Sequence, residues 1–339
     1  MTDKFEYILI KDPHFKWNFK NSIRKPGWEK KMDDKIYQVI SYMKEKKIKN
    51  LFFTGDVFDK SKISSWSFSQ FQANMKRLRY FKDAGITVYS NLGNHDLSNG
   101  GRENIKDTIF AAAIDLGLLT YIGTGMEPIR FEAGVGEVLL FGVDYHVSID
   151  KVIDEIKRVG DYPRGQQSVK ICLTHSNITA DTEKLSDLTY GQLSVYDIDT
   201  IGCGHYHICP KDGAIQELNR TTFLNPWNFS RESRDYFSKL DEHKPEFIHA
   251  EIYFVPNADP HFHYEEIFLD VGKFSETFHV DIINLLQELG KSKFGFFDEV
   301  GEDLEQDEDM SDDAVLLHNL AKTYEISEES IKIAKELIS

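Results

Sequence analysis

Residues 86–96 read ITVYSNLGNHD, an alternating apolar run that ends in glycine, asparagine, histidine and aspartate. Alternation over Ile86–Tyr89 predicts a half-buried strand. A turn after it needs only Gly93 and Asn94. The imidazole and the carboxylate that follow are surplus to a turn. Outward from this stretch, residues 67–85 carry Phe68, Phe71, Met75, Leu78 and Phe81 at helical spacing, ahead of a glycine stop. Before them come a short buried strand, NLFFT (50–54), and an amphipathic helix over 28–46 with Met32, Ile36, Val39, Ile40 and Met43 on one face. FEYILI (5–10) predicts the first strand, and residues 104–118 predict a third helix. This β-α-β-α-β-α order is the pattern of a layered α/β fold.

Further on, EVLLFGVDY (137–145), SVKICLTH (168–175) and DTIGCGHYH (199–207) are apolar runs closed by polar residues. Three strand-like runs between 221 and 269 have no helical pattern between them, so the second half reads as more antiparallel. After about residue 271 the character changes. The chain divides into a main domain (1–270), a small accessory region (271–297), an acidic linker (298–313) and a helical tail (314–339), whose second helix starts at the cap residue Ser327.

The polar ends of the strands form a series: Asp12 and His14, then Asp56, then Asn94, His95 and Asp96, then His175, then His205 and His207. In open α/β sheets, ligands bind at the carboxyl ends of strands. Each piece alone also fits a cap, a turn or a structural histidine. Five strand ends that deliver Asp, Asn or His to one edge point together to a metal site. The all-oxygen-and-nitrogen donor set suits Mn²⁺, Fe²⁺ or Zn²⁺, and Mg²⁺ fits the same oxygen-rich set. There are enough donors for two ions ~3.5–4 Å apart, the spacing that serves phosphodiester hydrolysis. Two cations that close need a bridging carboxylate. Asp56 is the natural one, because Gly55 lets the backbone turn tightly into the site.

Composition narrows the classes. No apolar run approaches the ~20 residues of a membrane span, and no basic and apolar leader opens the chain, which predicts a cytoplasmic protein with no membrane partner. Cys172, Cys203 and Cys209 show no CxxC spacing, which argues against a disulfide framework or thiolate site. The net charge is −16, but residues 298–313 hold ten acids and no base, and without them the rest carries −6. Residues 11–31 have the opposite bias. They hold seven Lys or Arg, Lys16, Lys20, Arg24 and Lys25 among them, with Phe15, Trp17, Phe19 and Trp28 interleaved. That patch is a candidate DNA contact, or else an ordinary solvated loop. His146, His261 and His263 read as structural.

The order D-x-H, G-D-x-x-D, G-N-H-D, H, G-H-x-H, from residue 12 to 207, resembles the calcineurin-like metallophosphoesterases. The resemblance implies a four-layer α/β/β/α sandwich with a dinuclear site on one edge, and here a small C-terminal helical segment beyond it. It implies one metal at Asp12, His14, Asp56 and His207, and a second at Asp56, Asn94, His175 and His205. It gives His95 the role of contacting the phosphate and protonating the leaving oxygen, with Asp96 orienting His95. Within that family the chain is similar to the SbcD-type nuclease subunits of DNA recombination and repair, in particular phage-encoded ones. That implies a Mn²⁺-dependent exonuclease or endonuclease, homodimeric, acting in the host cytoplasm. A free-standing phosphodiesterase or phosphatase on small molecules is the alternative. The same resemblance has the tail dock on an SbcC-type, SMC-like ATPase through apolar residues such as Leu316, Leu317, Leu320, Ile333 and Leu337. Phe15 departs from the family's frequent glycine after the first motif, and the accessory region is short for a DNA-capping domain.

Overall fold

Strand β1 (Asp3–Ile10) turns Tyr7 and Leu9 to one face and Ile8 and Ile10 to the other, and all four are fully buried. A strand buried on both faces belongs at the centre of a layered structure. The computed structural model, which describes residues 3–15, 27–97, 102–179, 188–207, 209–210, 212–230 and 244–272, puts it there. The first sheet also contains β2 (Asn50–Phe53), β3 (Thr87–Ser90), β4 (Thr120–Tyr121), β13 (Glu246–Phe254) and β14 (His261–Phe268), in the order β14-β13-β1-β2-β3-β4. β1 to β4 run parallel, and β13 and β14 are antiparallel additions.

The second sheet contains β5 (Ile129–Ala133), β6 (Gly136–Val143), β7 (Ser168–His175), β10 (Thr200–Gly204), β11 (Ile215–Leu218) and β12 (Thr221–Leu224), in the order β11-β12-β10-β7-β6-β5. Its four central strands are parallel, with antiparallel β5 and β11 at the edges. A small pair, β8 (Ile178–Thr179) and β9 (Leu188–Thr189), stands apart.

Three apolar layers separate four structural ones. Tyr7, Leu9 and Phe52 meet Leu140, Ile171 and Leu173 between the sheets. Ile8, Ile10, Leu51 and Phe53 meet Met32, Ile36 and Val39 of α1 (Trp28–Lys46) and Leu78 and Phe81 of α2 (Phe68–Asp83). Leu139, Phe141 and Cys172 meet Val152, Ile156 and Val159 of α4 (Ile149–Asp161). Each such side chain contributes about 1.5–3 kcal/mol on burial. The result is the α/β/β/α sandwich. Phe15 is part of the helix-side core, its ring edge-on to Phe53.

Local chemistry sets the helix ends. α1 stops at Lys47, whose left-handed backbone returns its N–H to the Lys44 and Met43 carbonyls. α2 starts with a capping box between Ser67 and Gln70. The predicted third helix is shorter and interrupted. Thr108 caps α3 (Ile109–Asp115) by accepting from the Ala111 N–H, so Arg102–Asp107 forms only 3₁₀ turns before it. α4 was not anticipated. A further short helix, α5 (Tyr190–Leu193), is capped by Thr189. Among the described residues, no helix is long and apolar enough to cross a membrane. The predicted accessory region, linker and tail lie outside the described residues, apart from 271 and 272.

Candidate metal centre

The carboxyl ends of β1, β2 and β3 from one sheet and of β7 and β10 from the other converge on one edge of the sandwich. Space is tight there. A β-carbon at Gly55 would lie 2.7 Å from both the Gly93 nitrogen and His175 Nδ1, and one at Gly204 would lie 2.7 Å from His175 Nδ1 and 2.9 Å from Asp12 Oδ1. Glycine at these two positions lets the strand ends approach. At this edge four side-chain-bearing positions adopt the left-handed backbone region: Asp12 (φ 43°), His14 (φ 43°), Asp56 (φ 46°) and His205 (φ 77°). Such conformations cluster at functional sites when the surrounding structure holds them. Here the His14 N–H donates to the Asp56 carbonyl (2.9 Å) and the His205 N–H to Asp12 Oδ2 (2.8 Å).

Two donor sets result. In one, His14 Nε2 lies 3.0 Å from His207 Nε2 and 3.5 Å from Asp56 Oδ2, with Asp12 Oδ2 3.9 Å from His207 Nε2. In the other, Asn94 Oδ1 is 3.0 Å from both His175 Nε2 and His205 Nδ1, and these two nitrogens are 3.2 Å apart. Asp56 Oδ2 belongs to both, 3.2 Å from His175 Nε2, and this buried oxygen has no hydrogen-bond partner. Its companion Oδ1 accepts from the His95 N–H at 2.8 Å. Second contacts fix the ring orientations, as for metal-bound histidines. His175 Nδ1 donates to the Thr54 carbonyl at 2.7 Å, which turns Nε2 toward the donor set.

These residues fit divalent cations. Metal–ligand distances of about 2.0–2.2 Å set neighbouring ligand atoms roughly 3 Å apart. The second set keeps this spacing throughout, and the first does so between His14 and His207, with Asp56 and Asp12 farther off at 3.5 and 3.9 Å. The electrostatics agree. Burial raises the Asp12 carboxyl, against the pull of His175 and His207. Burial pushes Asp56 the same way, but His175, His14 and His95 outweigh it and hold Asp56 well below the usual carboxylate range. Burial alone would lower His175, yet Asp56 and Asp12 lift it to about 9, while burial and His175 bring His205 down to about 3. A buried carboxylate pair that raises an adjacent imidazole favours positive charge at this point.

His95 lies beside these sets, its ring edge-on to His14 with centroids 4.9 Å apart. Its orientation corrects the sequence expectation. Asp96 does not hold the His95 ring. Instead His95 Nδ1 is 2.9 Å from the Asp59 carbonyl oxygen. The buried Asp96 carboxylate accepts three backbone N–H bonds, from Val57 (3.2 Å), Phe58 (3.2 Å) and Gly93 (3.1 Å). It ties the loop after β2 to the loop after β3. Burial and the neighbouring Asp56 raise it to about 7.

Two contributors were not recognised in the sequence. Asp144 accepts from the Leu92 N–H (2.9 Å), the Tyr121 hydroxyl (2.7 Å) and the Thr124 N–H (3.1 Å), and so anchors the start of the GNHD loop. The Tyr145 ring lies 5.2 Å from the His205 ring. The only signal for either was the polar DYH that closes β6. His146 Nδ1 accepts from the Ser148 N–H at 2.8 Å, a structural contact. Cys172 and Cys203 are buried free thiols. Lys16, Lys20, Arg24, Lys25, Leu316, Leu317, Leu320, Ile333 and Leu337 lie outside the described residues.

A double sandwich that gathers Asp, Asn and His at five strand ends defines a class of metal-dependent phosphoesterases. Residues 12–209 match the family model of the calcineurin-like phosphoesterases, and the chain belongs to that family. Members are metal-dependent hydrolases that use a pair of divalent ions. No curated protein matches the chain. Among solved structures it is similar to a dimetal phosphatase from Danio rerio, at 10% identity and a TM-score of 0.42, over 76% of this chain and 98% of that one. It is also similar to a 5'-nucleotidase from Candida albicans, at 12% identity and a TM-score of 0.44, over 95% of this chain and 58% of that one.

Proposed function

We propose that this protein is a Mn²⁺-dependent DNA exonuclease or endonuclease of the SbcD type, the catalytic subunit of an ATPase–nuclease complex in recombination and repair. The observation that carries phosphodiester hydrolysis is Asp56 Oδ2, buried, without a hydrogen-bond partner and shared between two donor sets. Asp12, His14, Asp56 and His207 would hold one ion, and Asp56, Asn94, His175 and His205 the other. When bound, the ions supply Lewis-acid polarisation of the diester and a nucleophile at neutral pH. The protein's own part is to place charge and move a proton. The Thr54 carbonyl fixes the His175 tautomer, and the shared Asp56 carboxylate fixes the spacing of the two sets. The Asp59 carbonyl accepts from His95 Nδ1–H, which leaves Nε2 as the nitrogen that would take up a proton and, from the imidazolium form, deliver it to the leaving oxygen.

DNA as the substrate is supported by the basic run Lys16, Lys20, Arg24 and Lys25, with Trp17 and Phe19 interleaved, and by the motif order shared with SbcD-type chains. The apolar set of the tail, which is too small to form a core alone, supports docking on a coiled-coil ATPase. The test is digestion of end-labelled linear duplex DNA by the full chain with Mn²⁺, wild type beside His95→Ala, with and without such an ATPase. Degradation by wild type alone is expected, with stimulation by the partner. Cleavage of bis-p-nitrophenyl phosphate with no attack on DNA would overturn the nuclease reading in favour of a small-molecule phosphodiesterase.

A further inference from the structure

A second donor cluster lies on the helix-side face of the first sheet. Glu6 on β1 pairs directly with Glu251 on β13, and His249 is two residues along β13 on the same face. Glu6, His249 and Glu251 each offer a ligand atom, all within 4.8 Å of one another. Glu6 lies four residues before the end of β1 at Ile10, roughly 13 Å along the strand, so the cluster is not part of the strand-end centre.

The cluster is already arranged around a cation. Lys4 Nζ bridges the two carboxylates, 2.8 Å from Glu6 Oε1 and 2.9 Å from Glu251 Oε1. The ammonium is directed at the two carboxylates and makes no hydrogen bond to the imidazole beside them. His249 is 4% exposed, and its Nε2 is buried with no hydrogen-bond partner, 3.4 Å from Glu6 Oε1. Its other nitrogen, Nδ1, is 3.0 Å from the Tyr42 hydroxyl of α1. A histidine fixed through one nitrogen, with the other turned unpartnered toward two carboxylates, has the arrangement of a metal ligand with its outer partner in place. Burial also lowers the tendency of His249 to take a proton, which favours its neutral, ligating form.

We propose that Glu6, His249 and Glu251 form a separate transition-metal site of the zinc class, in which Lys4 competes with the ion for the two carboxylates. One imidazole and two carboxylates suit Zn²⁺, with water completing the shell. The ion displaces the Lys4 ammonium, which is half-exposed on its strand and swings into solvent with its proton retained. Occupancy ties β1, β13 and, through Tyr42, α1 to one point.

The test uses the full chain and Zn²⁺ alone as the probe, with bound zinc counted after equilibrium dialysis. His249→Ala is expected to hold one ion fewer per chain than wild type. Lys4→Met is expected to bind that ion roughly fivefold more tightly, the scale of an exposed ion pair. If His249→Ala fails to fold, as judged by circular dichroism, the half-buried Glu251→Gln carries the same expectation. Equal zinc content in wild type and the folded variants overturns the proposal. So does loss of the same ion in His261→Ala, which would mark adventitious capture by surface histidines. The readout is a difference between variants remote from the strand-end centre, so it is independent of whether that centre cleaves DNA.

Discussion

Replacing Gly93 by alanine tests the geometry of the centre most directly. The Gly93 backbone is not in the left-handed region, so alanine is conformationally tolerable there and only space matters. A β-carbon would lie 2.6 Å from Asp56 Cγ and overlap Asp56 Oδ1 and its amide nitrogen. Carbon–carbon contact is comfortable from about 3.5 Å, so Asp56 Cγ must retreat by roughly 0.9 Å, and Oδ1, met at 2.0 Å, by more. Asp56 has little room to retreat. Its carbonyl accepts from the His14 N–H at 2.9 Å, its Oδ1 accepts from the His95 N–H at 2.8 Å, and it is 1% exposed. The displacement therefore falls on the oxygen shared by the two donor sets. Misplacement by about 1 Å costs on the order of 10²-fold in rate, and overpacking costs about 1–3 kcal/mol. That corresponds to a fall in Tm of roughly 2–5 °C for a domain of this size. Gly85→Ala is the control, because Gly85 has φ +75° and no atom would meet its β-carbon. It should lose about 1 kcal/mol from backbone strain and no activity. The assay is Mn²⁺-dependent hydrolysis of bis-p-nitrophenyl phosphate beside a metal count. Gly93→Ala with activity within about threefold of wild type and full metal content would show that the strand ends are not in contact as described.

Asp96→Ala orphans three buried N–H donors, each costing about 1–3 kcal/mol. Urea unfolding should show a loss of at least about 3 kcal/mol, and a loss typical of a surface site would contradict the tie between the two loops. His95→Ala should lower kcat by about 10²–10⁴-fold while metal content and Tm stay at wild-type values, and a parallel loss of metal would reassign His95 as a ligand. Glu246 tests a pH effect. Burial lifts its pKa from 4.5 to about 7, against the Trp227 N–H that it accepts. The native state therefore holds a proton that the unfolded chain has released, and stability should fall as pH rises from about 4.5 to 7. Glu246→Gln should flatten that slope and gain up to about 3 kcal/mol above pH 7, and unchanged urea midpoints across this range would rule the effect out.

Much of the fold was legible because periodicity and caps are written in the side chains. The apolar stripe of α1 runs over the helix that forms, Trp28–Lys46. α2 ends where the glycine stop predicts, after Asp83. The gathering of Asp12, His14, Asp56, Asn94, His175, His205 and His207 was also legible, because each closes an apolar run at a carboxyl end. α4 was missed although Ile149, Val152, Ile153, Ile156 and Val159 recur at helical spacing, because it lies between two stronger apolar runs. The partners of His95 and Asp96 could not be read. Backbone N–H and C=O groups leave no mark in a sequence, and the Asp59 carbonyl and three loop amides settle where these side chains face.

The left-handed backbones at Asp12, His14, Asp56 and His205 set stability against chemistry. Glycine at any of the four would relieve strain of about 1 kcal/mol and would delete a donor from the centre. Selection for thermal stability alone should therefore drift toward glycine at these positions and discard activity as it does so. An engineering campaign on this chain would have to hold all four fixed and seek its gains elsewhere.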